Sequence, residues 1–267
     1  MVYIITFLVG FLGTLFAIPL IKGMLRDSNF IQENYRKDMV PVSMGISFLP
    51  FFILSLGILR YFGESYRIFI LMYGSIAMAF AGILDDTLGD KHIKGLKGHL
   101  KSFFRGKLTT GGFKALFGGL VALSIAMGIS KNIQEIVVNT LVMALFTNLM
   151  NLLDLRPGRA LKVFFAISIT FMIMVEATLK LLMWTVMLPP LAYFKDDIKA
   201  KGMMGDTGSN FLGISLGIIC ALGFDFKSKL IVLGLLILIH IITEKYSLTK
   251  IIEKNKFLNF LDRLGRN

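Results

Sequence analysis

Three groups of acids and amides break an otherwise apolar chain: Asp85-Asp86, Asn148-x-x-Asn151-x-x-Asp154, and Gly205-Asp206-Thr207-Gly208-Ser209. In the third, one carboxylate stands among small residues just before the apolar run that begins at Phe211. Glycines there let backbone and ligand approach closely. Thr207 and Ser209 are placed to cap the following helix, whose free N–H groups would face a bound phosphate. An acid in that setting suits a hard cation such as Mg²⁺, which takes oxygen ligands and shares its shell with phosphates. The plainer alternative is a polar helix start and nothing more.

Asp85 and Asp86 close an apolar segment, and Asp90 follows. Adjacent acids at a helix C-terminus repel one another and oppose the macrodipole, so a cation or a set of lysines would relieve them. Lys91, Lys94, Lys97, Lys101, Arg105 and Lys107 come next, with His92 and His99 among them. Leu96, Leu100, Phe103 and Phe104 alternate with the lysines at helical spacing, which predicts a short basic amphipathic helix at the headgroups. The turn Gly106–Lys114 brings hydroxyls, backbone amides, Lys107 and Lys114 that can hold anionic oxygens. It lacks the order of a Walker A loop.

Positions 148, 151 and 154 recur every three residues, which places two Asn and one Asp close to one helical face. Polar side chains on one face of a membrane helix point into the bundle or a wet cavity. Helix–helix hydrogen bonding accounts for the asparagines equally well. Arg156 and Arg159 are positioned to pair with Asp154 or with a phosphate. In the stretch Asn34–Gly45, Lys37 is either a phosphate ligand or a membrane-side anchor.

These residues need helices to carry them, and the composition says which kind. Of 267 residues, 55% are hydrophobic and 17% charged, and the mean hydropathy is +0.72. Nine apolar segments fit the length of a bilayer crossing: 1–21, 43–59, 67–84, 112–129, 133–153, 160–176, 179–194, 210–224 and 228–243. The expectation is an all-α polytopic membrane bundle of about nine transmembrane helices in one domain, 1–267. The first segment lacks a basic leader and a small-residue cleavage site, so it reads as a retained span. Pro189-Pro190 predicts a break near the end of the seventh.

All but six of the 29 Lys and Arg fall in the segments 22–42, 85–114, 154–162, 195–209 and 244–267. The exceptions are Arg60, Arg67, Lys131, Lys180, Lys227 and Lys229. The positive-inside rule then puts the N-terminus outside and the five basic loops and the C-terminus in the cytoplasm. A net charge of +12 distributed this way argues topology, not nucleic acid. The basic tail 244–267 predicts a surface helix, and His240 in the last span predicts a hydrogen bond within the bundle. Cys220 is the one cysteine, which excludes an intrachain disulfide.

From about residue 34 to 213 the chain resembles the polyprenyl-phosphate N-acetylhexosamine-1-phosphate transferases. This family includes phospho-N-acetylmuramoyl-pentapeptide transferase and the UDP-N-acetylglucosamine undecaprenyl-phosphate transferases. The resemblance rests on the three clusters in their order, spacing and membrane side, and on Lys37 before Pro41 and Gly45. It implies transfer of a sugar 1-phosphate from a UDP-sugar to polyprenyl phosphate at the cytoplasmic face of a bacterial plasma membrane, with release of UMP. It further implies Mg²⁺, or alternatively Mn²⁺, on Asp206. Asp85 and Asp86 would orient or deprotonate the lipid phosphate, with Asp154 as a third catalytic acid. Asn148, Asn151 and Asp154 would hold the nucleotide sugar, with Lys37, Lys107, Lys114, Arg156 and Arg159 on phosphates. The expected partners are the two substrates and membrane lipids, in an arrangement compatible with a homodimer.

The chain departs from the family in three ways. The family's Asp-Gly-x-Asp-Gly run is here Asp154-Leu155-Arg156-Pro157-Gly158, so Pro157 stands where a second acid would. The family's histidine-containing loop has no counterpart after Asp206, and the C-terminal end is shorter than in typical members. Two other function classes stand beside the transferase. One is a non-catalytic relative that binds lipid phosphate or scaffolds an envelope complex. The other is an ion-coupled transporter, which the clustering of acids at one face disfavours. The Asp-Gly-x-x-Ala-Arg signature of the CDP-alcohol phosphotransferases is absent.

Overall fold

The computed structural model describes residues 1–63, 66–89, 102 and 106–266. The basic helix expected over 95–104 lies outside the described residues, together with His92, His99, Asp90 and the cations Lys91, Lys94, Lys97, Lys101 and Arg105. Nine helices of 16 residues or more carry the remainder. They are α1 (Val2–Asp27), α2 (Met44–Tyr61), α3 (Tyr66–Leu88), α4 (Thr110–Ile129), α5 (Ile133–Leu153), α6 (Arg159–Met174), α7 (Ala177–Ile198), α8 (Gly205–Gly223) and α9 (Phe226–Lys245). Two short tail helices follow, α10 (Leu248–Lys254) and α11 (Lys256–Arg263). Seven of these, all of α1–α9 except α6 and α8, are long and apolar enough to cross a membrane. The chain is an all-α polytopic membrane bundle. The exceptions have visible causes: α6 is only 16 residues long, and α8 opens on Gly-Asp-Thr-Gly-Ser-Asn.

Helix α8 is the axis of the bundle. Thr207 through Ala221 are buried without a gap, and α3 and α5 pack along its two sides. Small residues allow the contact. A Cβ on Gly213 would lie 2.4 Å from Thr147 Cα, and one on Gly217 would lie 2.5 Å from Met143 Cα. The spacing of four on both partners sets one stripe of α8 against one stripe of α5, as small-xxx-small pairs do in membranes. On the α3 side, Ser75 and Ser215 hydroxyls bond at 3.0 Å, and Asn210 Nδ2 donates to the Met78 carbonyl at 3.2 Å. Phe211 sits between Phe48 and Phe52 of α2, with ring centroids 5.7 and 4.9 Å away. Outward, α9 exposes Leu230, Ile231, Leu235, Leu238 and Ile241, a surface for lipid.

Three sequence expectations change here. Helix α7 runs unbroken through Pro189 and Pro190, since packing and local adjustment satisfy the backbone groups that proline frees in membrane helices. The first loop holds a two-stranded hairpin, β1 (Ile31–Glu33) and β2 (Met39–Pro41), paired antiparallel with Gln32 opposite Val40. Finally, α8 starts at Gly205, so Thr207 and Ser209 are inside the helix and do not cap it.

Candidate functional site

The cap that α8 lacks from its own chain neighbours comes from α3. Asp86, in the last turn of α3, accepts from the backbone N–H groups of Asp206 at 2.9 Å and Thr207 at 3.2 Å. The Thr207 hydroxyl donates to the same carboxylate at 2.8 Å, and so does the Ser43 hydroxyl. A carboxylate across a helix N-terminus meets both its unpaired N–H groups and the positive end of its dipole. The helices come this close because a Cβ on Gly82 would lie 2.4 Å from the Asp206 carbonyl oxygen. Gly205, at φ +73°, makes the left-handed turn into α8 that a side chain would resist.

The segment before α8 is held by the hairpin. Met203 N–H donates to the Pro41 carbonyl at 2.8 Å, and the Met44 and Gly45 N–H groups donate to the Met203 and Met204 carbonyls, each at 3.0 Å. The fixed frame sets Asp206 beside Lys114, at the start of the second turn of α4. Lys114 is ion-paired to Asp85 at 2.6 Å and to Asp206. Thr109 caps α4 and so positions Lys114, its hydroxyl accepting from Gly112 N–H at 3.0 Å.

From α5, Asn151 accepts a hydrogen bond from the Ser209 hydroxyl at 2.5 Å, and Asp154 follows at the helix end. Asn151 thus reaches α8, and Asp154 lines a cavity together with Gly205 and Asp206. Asn148 does neither: it is exposed. At about 100° per residue, a spacing of three drifts by roughly 60° at each step, which carries position 148 away from the face that 154 occupies.

A cavity of about 190 Å³ opens among these elements, and Asp86, Asp154, Asp197 and Asp206 all line it. Asp197 was not among the residues expected from sequence. It ends α7, is buried, and accepts from Gly158 N–H at 2.8 Å. The signal was present, because Asp196-Asp197 closes an apolar segment just as Asp85-Asp86 does. Asp196 is occupied by Lys22, 2.7 Å away. Burial pushes the Asp154 carboxyl well above its ordinary range, and the Asp197, Asp206 and Asp86 carboxylates push the same way. Such a cavity favours a proton or a cation.

The cationic residues divide. Lys114 is in the site. Arg156 lines the cavity and lies over the Tyr35 ring at 5.5 Å. Arg159, expected on a phosphate, is buried instead in the tail contact: Nε and Nη2 reach the two Asp262 oxygens at 2.8 and 3.0 Å. Lys37 is exposed at the hairpin turn with φ +66°, and Lys107 is exposed before α4. Neither lines the cavity. His240 bonds its own helix, with Nδ1 2.7 Å from the Leu236 carbonyl oxygen.

Mg²⁺ fits the donor set in one particular way. Among the described residues no three acidic, thiol or imidazole groups converge as an all-protein metal cage would require. Mg²⁺ instead commonly takes one or two carboxylates and completes its octahedron with water and substrate phosphate. A cavity lined by Asp154 and Asp206 and open to ligand suits that mode. The arrangement can thus hold a cation against phosphates at the end of a membrane bundle. No family model matches the chain, and no curated protein shows detectable similarity to it.

Proposed function

We propose that this protein transfers a sugar 1-phosphate from a UDP-N-acetylhexosamine to polyprenyl phosphate at the cytoplasmic face, releasing UMP. The observation that carries the reading is the meeting of Asp85, Asp86, Asn151, Asp154 and Asp206 in one cluster. They come from three helices, and Lys114 of a fourth joins them. Residues far apart in sequence share one end of the bundle. In this reading all nine long helices span, the N-terminus is outside, and the five basic loops are cytoplasmic. The identity of the donor as a UDP-sugar and the acceptor as a polyprenyl phosphate rests on the family resemblance.

The chemistry joins two anions. An oxygen of the lipid phosphate attacks the sugar-bearing phosphorus of the donor. The bond from that phosphorus to the bridging oxygen breaks, and UMP leaves with the electron pair. Such transfers depend mainly on positioning and charge stabilisation. Asp206 and Asp154 would hold Mg²⁺, which when bound supplies positive charge to the phosphate oxygens. Lys114 neutralises Asp85 and Asp206 and presents its ammonium to a phosphate. Asp86 keeps the start of α8 fixed, which aims Asp206. A proton on the attacking lipid phosphate passes to a carboxylate of the cluster, and Asp85, half-buried beside Lys114, is the acid proposed to take it.

Purified protein in detergent, given polyprenyl phosphate, Mg²⁺ and a panel of UDP-N-acetylhexosamines, is expected to release UMP. Release should require both lipid and metal and should vanish in Asp206→Ala. The second reading, a non-catalytic binder of lipid phosphate, draws on Lys114, whose ammonium pairs with both Asp85 and Asp206. Silence across the panel with lipid phosphate still bound would favour it.

A further inference from the structure

Beside the acidic cavity lies a second one of about 330 Å³, and the two share Tyr35 and Arg156. Its walls come from the hairpin turn, the loop after α5, Glu253 of α10, the tail helix α11, which contributes Asp262 and Arg263, and Arg266 just beyond that helix. Asp262 is already committed. It receives both Arg159 donors, and Arg266 reaches its two oxygens at 3.0 Å each. Arg156 and Arg263 have no carboxylate within ion-pair distance among the described residues. Glu253 is the one further acid on the wall, and it is exposed. The Tyr35 ring carries Arg156 on one contact and Arg36 at 5.2 Å on another, which orients guanidiniums at the boundary between the cavities.

We propose that this second cavity is a phosphate subsite, with Arg156 and Arg263 as its ligands and the C-terminal helix as one wall. Guanidiniums present planar paired donors that match phosphate oxygens. The adjoining cavity is rich in carboxylates and repels an anion unless a cation intervenes, so an extended phosphate-bearing molecule would place its distal phosphate here. That molecule is the soluble donor, an assignment that rests on the transferase reading. The anion preference of the cavity stands on its own residues.

The test is calorimetric titration of the full-length chain in detergent with EDTA present, using inorganic pyrophosphate and UMP as probes. Arg156→Gln and Arg263→Gln should each weaken binding about tenfold or more, as loss of a charged hydrogen bond does. Lys250→Gln, an exposed tail position losing the same charge, should change it by less than about twofold. Thermal melts confirm that each variant folds. Equal losses in all three would reveal diffuse basic attraction and overturn the proposal, as would no binding of pyrophosphate, UMP or phosphatidic acid. Binding of phosphatidic acid in mixed micelles, with UMP and pyrophosphate inert, overturns the donor assignment. Asp206→Asn separates the two claims, since it should stop UMP release while pyrophosphate still binds. Transfer with an unchanged donor KM in Arg263→Gln would sink the subsite and leave the transferase intact. Binding without transfer in the parent protein would do the reverse.

Discussion

Two neighbouring aspartates divide the work. Asp86 spends both oxygens on the start of α8, while Asp85 shares Lys114 with Asp206. Asp86→Ala should therefore destabilise the protein by about 1–3 kcal/mol, because it strands two backbone donors and two hydroxyls. Asp206→Asn should leave the melting temperature nearly unchanged while UMP release is lost. Thermal melts of both variants beside the release assay check this. A melt unchanged in Asp86→Ala would refute its capping role. These residues were legible as chemistry because acids closing an apolar segment are rare. Their division of labour was not, since it depends on which helix N-terminus lies opposite, a tertiary fact. Asn148 and Arg159 show the same limit. A repeat of three looks like one face until the helix drifts, and an arginine near an acid in sequence can find another acid in space. Asp262, some hundred residues on, claims Arg159.

Helix α8 fits against α5 through glycines, with no side chains between the two backbones at Gly213 and Gly217. Gly217→Leu would drive a branched side chain into the Met143 backbone, where a Cβ alone already lies 2.5 Å from Cα. The expected loss is about 1–3 kcal/mol or more, read as a lowered melting temperature in detergent, whereas Gly234→Leu, with open space around it, should be near neutral. The tail supplies a pH test. Burial alone would raise the Asp262 carboxyl, but hydrogen bonds from Arg159 and Arg266 outweigh it and hold it at about 2, below its ordinary 3.8. A depressed pKa contributes stability that is complete above the ordinary value and is lost as pH falls through the folded value. Tail docking should accordingly hold at pH 5 and weaken between about pH 4 and 2. Pepsin cleavage of the tail across that window reads it, and Asp262→Asn should flatten the dependence. Equal cleavage of the parent at both ends of the window would contradict the clamp. The long apolar helices were legible from hydropathy alone. The hairpin was not, because three-residue strands carry no periodicity, and neither was the unbroken course of α7 through two prolines.

The whole molecule is expected to work from one face of the membrane. The acidic cavity, its basic neighbour and the tail all lie among loops that carry most of the Lys and Arg, so substrate should reach the site from one side only. Charge asymmetry leads to the expectation that this side is cytoplasmic, because insertion reads loops rather than packing. Which side chains meet in the cavity depends on helix contacts that hydropathy does not encode. The most direct measurement uses sealed membrane vesicles of defined orientation carrying the protein and polyprenyl phosphate. Labelled UDP-N-acetylhexosamines are added outside with Mg²⁺, and lipid diphosphate sugar is followed by mass. Inverted vesicles, which expose the cytoplasmic face, should form the product and release UMP. Right-side-out vesicles should form none until permeabilised, and Asp206→Ala should be silent in both. Product in intact right-side-out vesicles would contradict the sidedness, and no product from any donor in inverted vesicles with lipid phosphate bound would contradict the transferase itself.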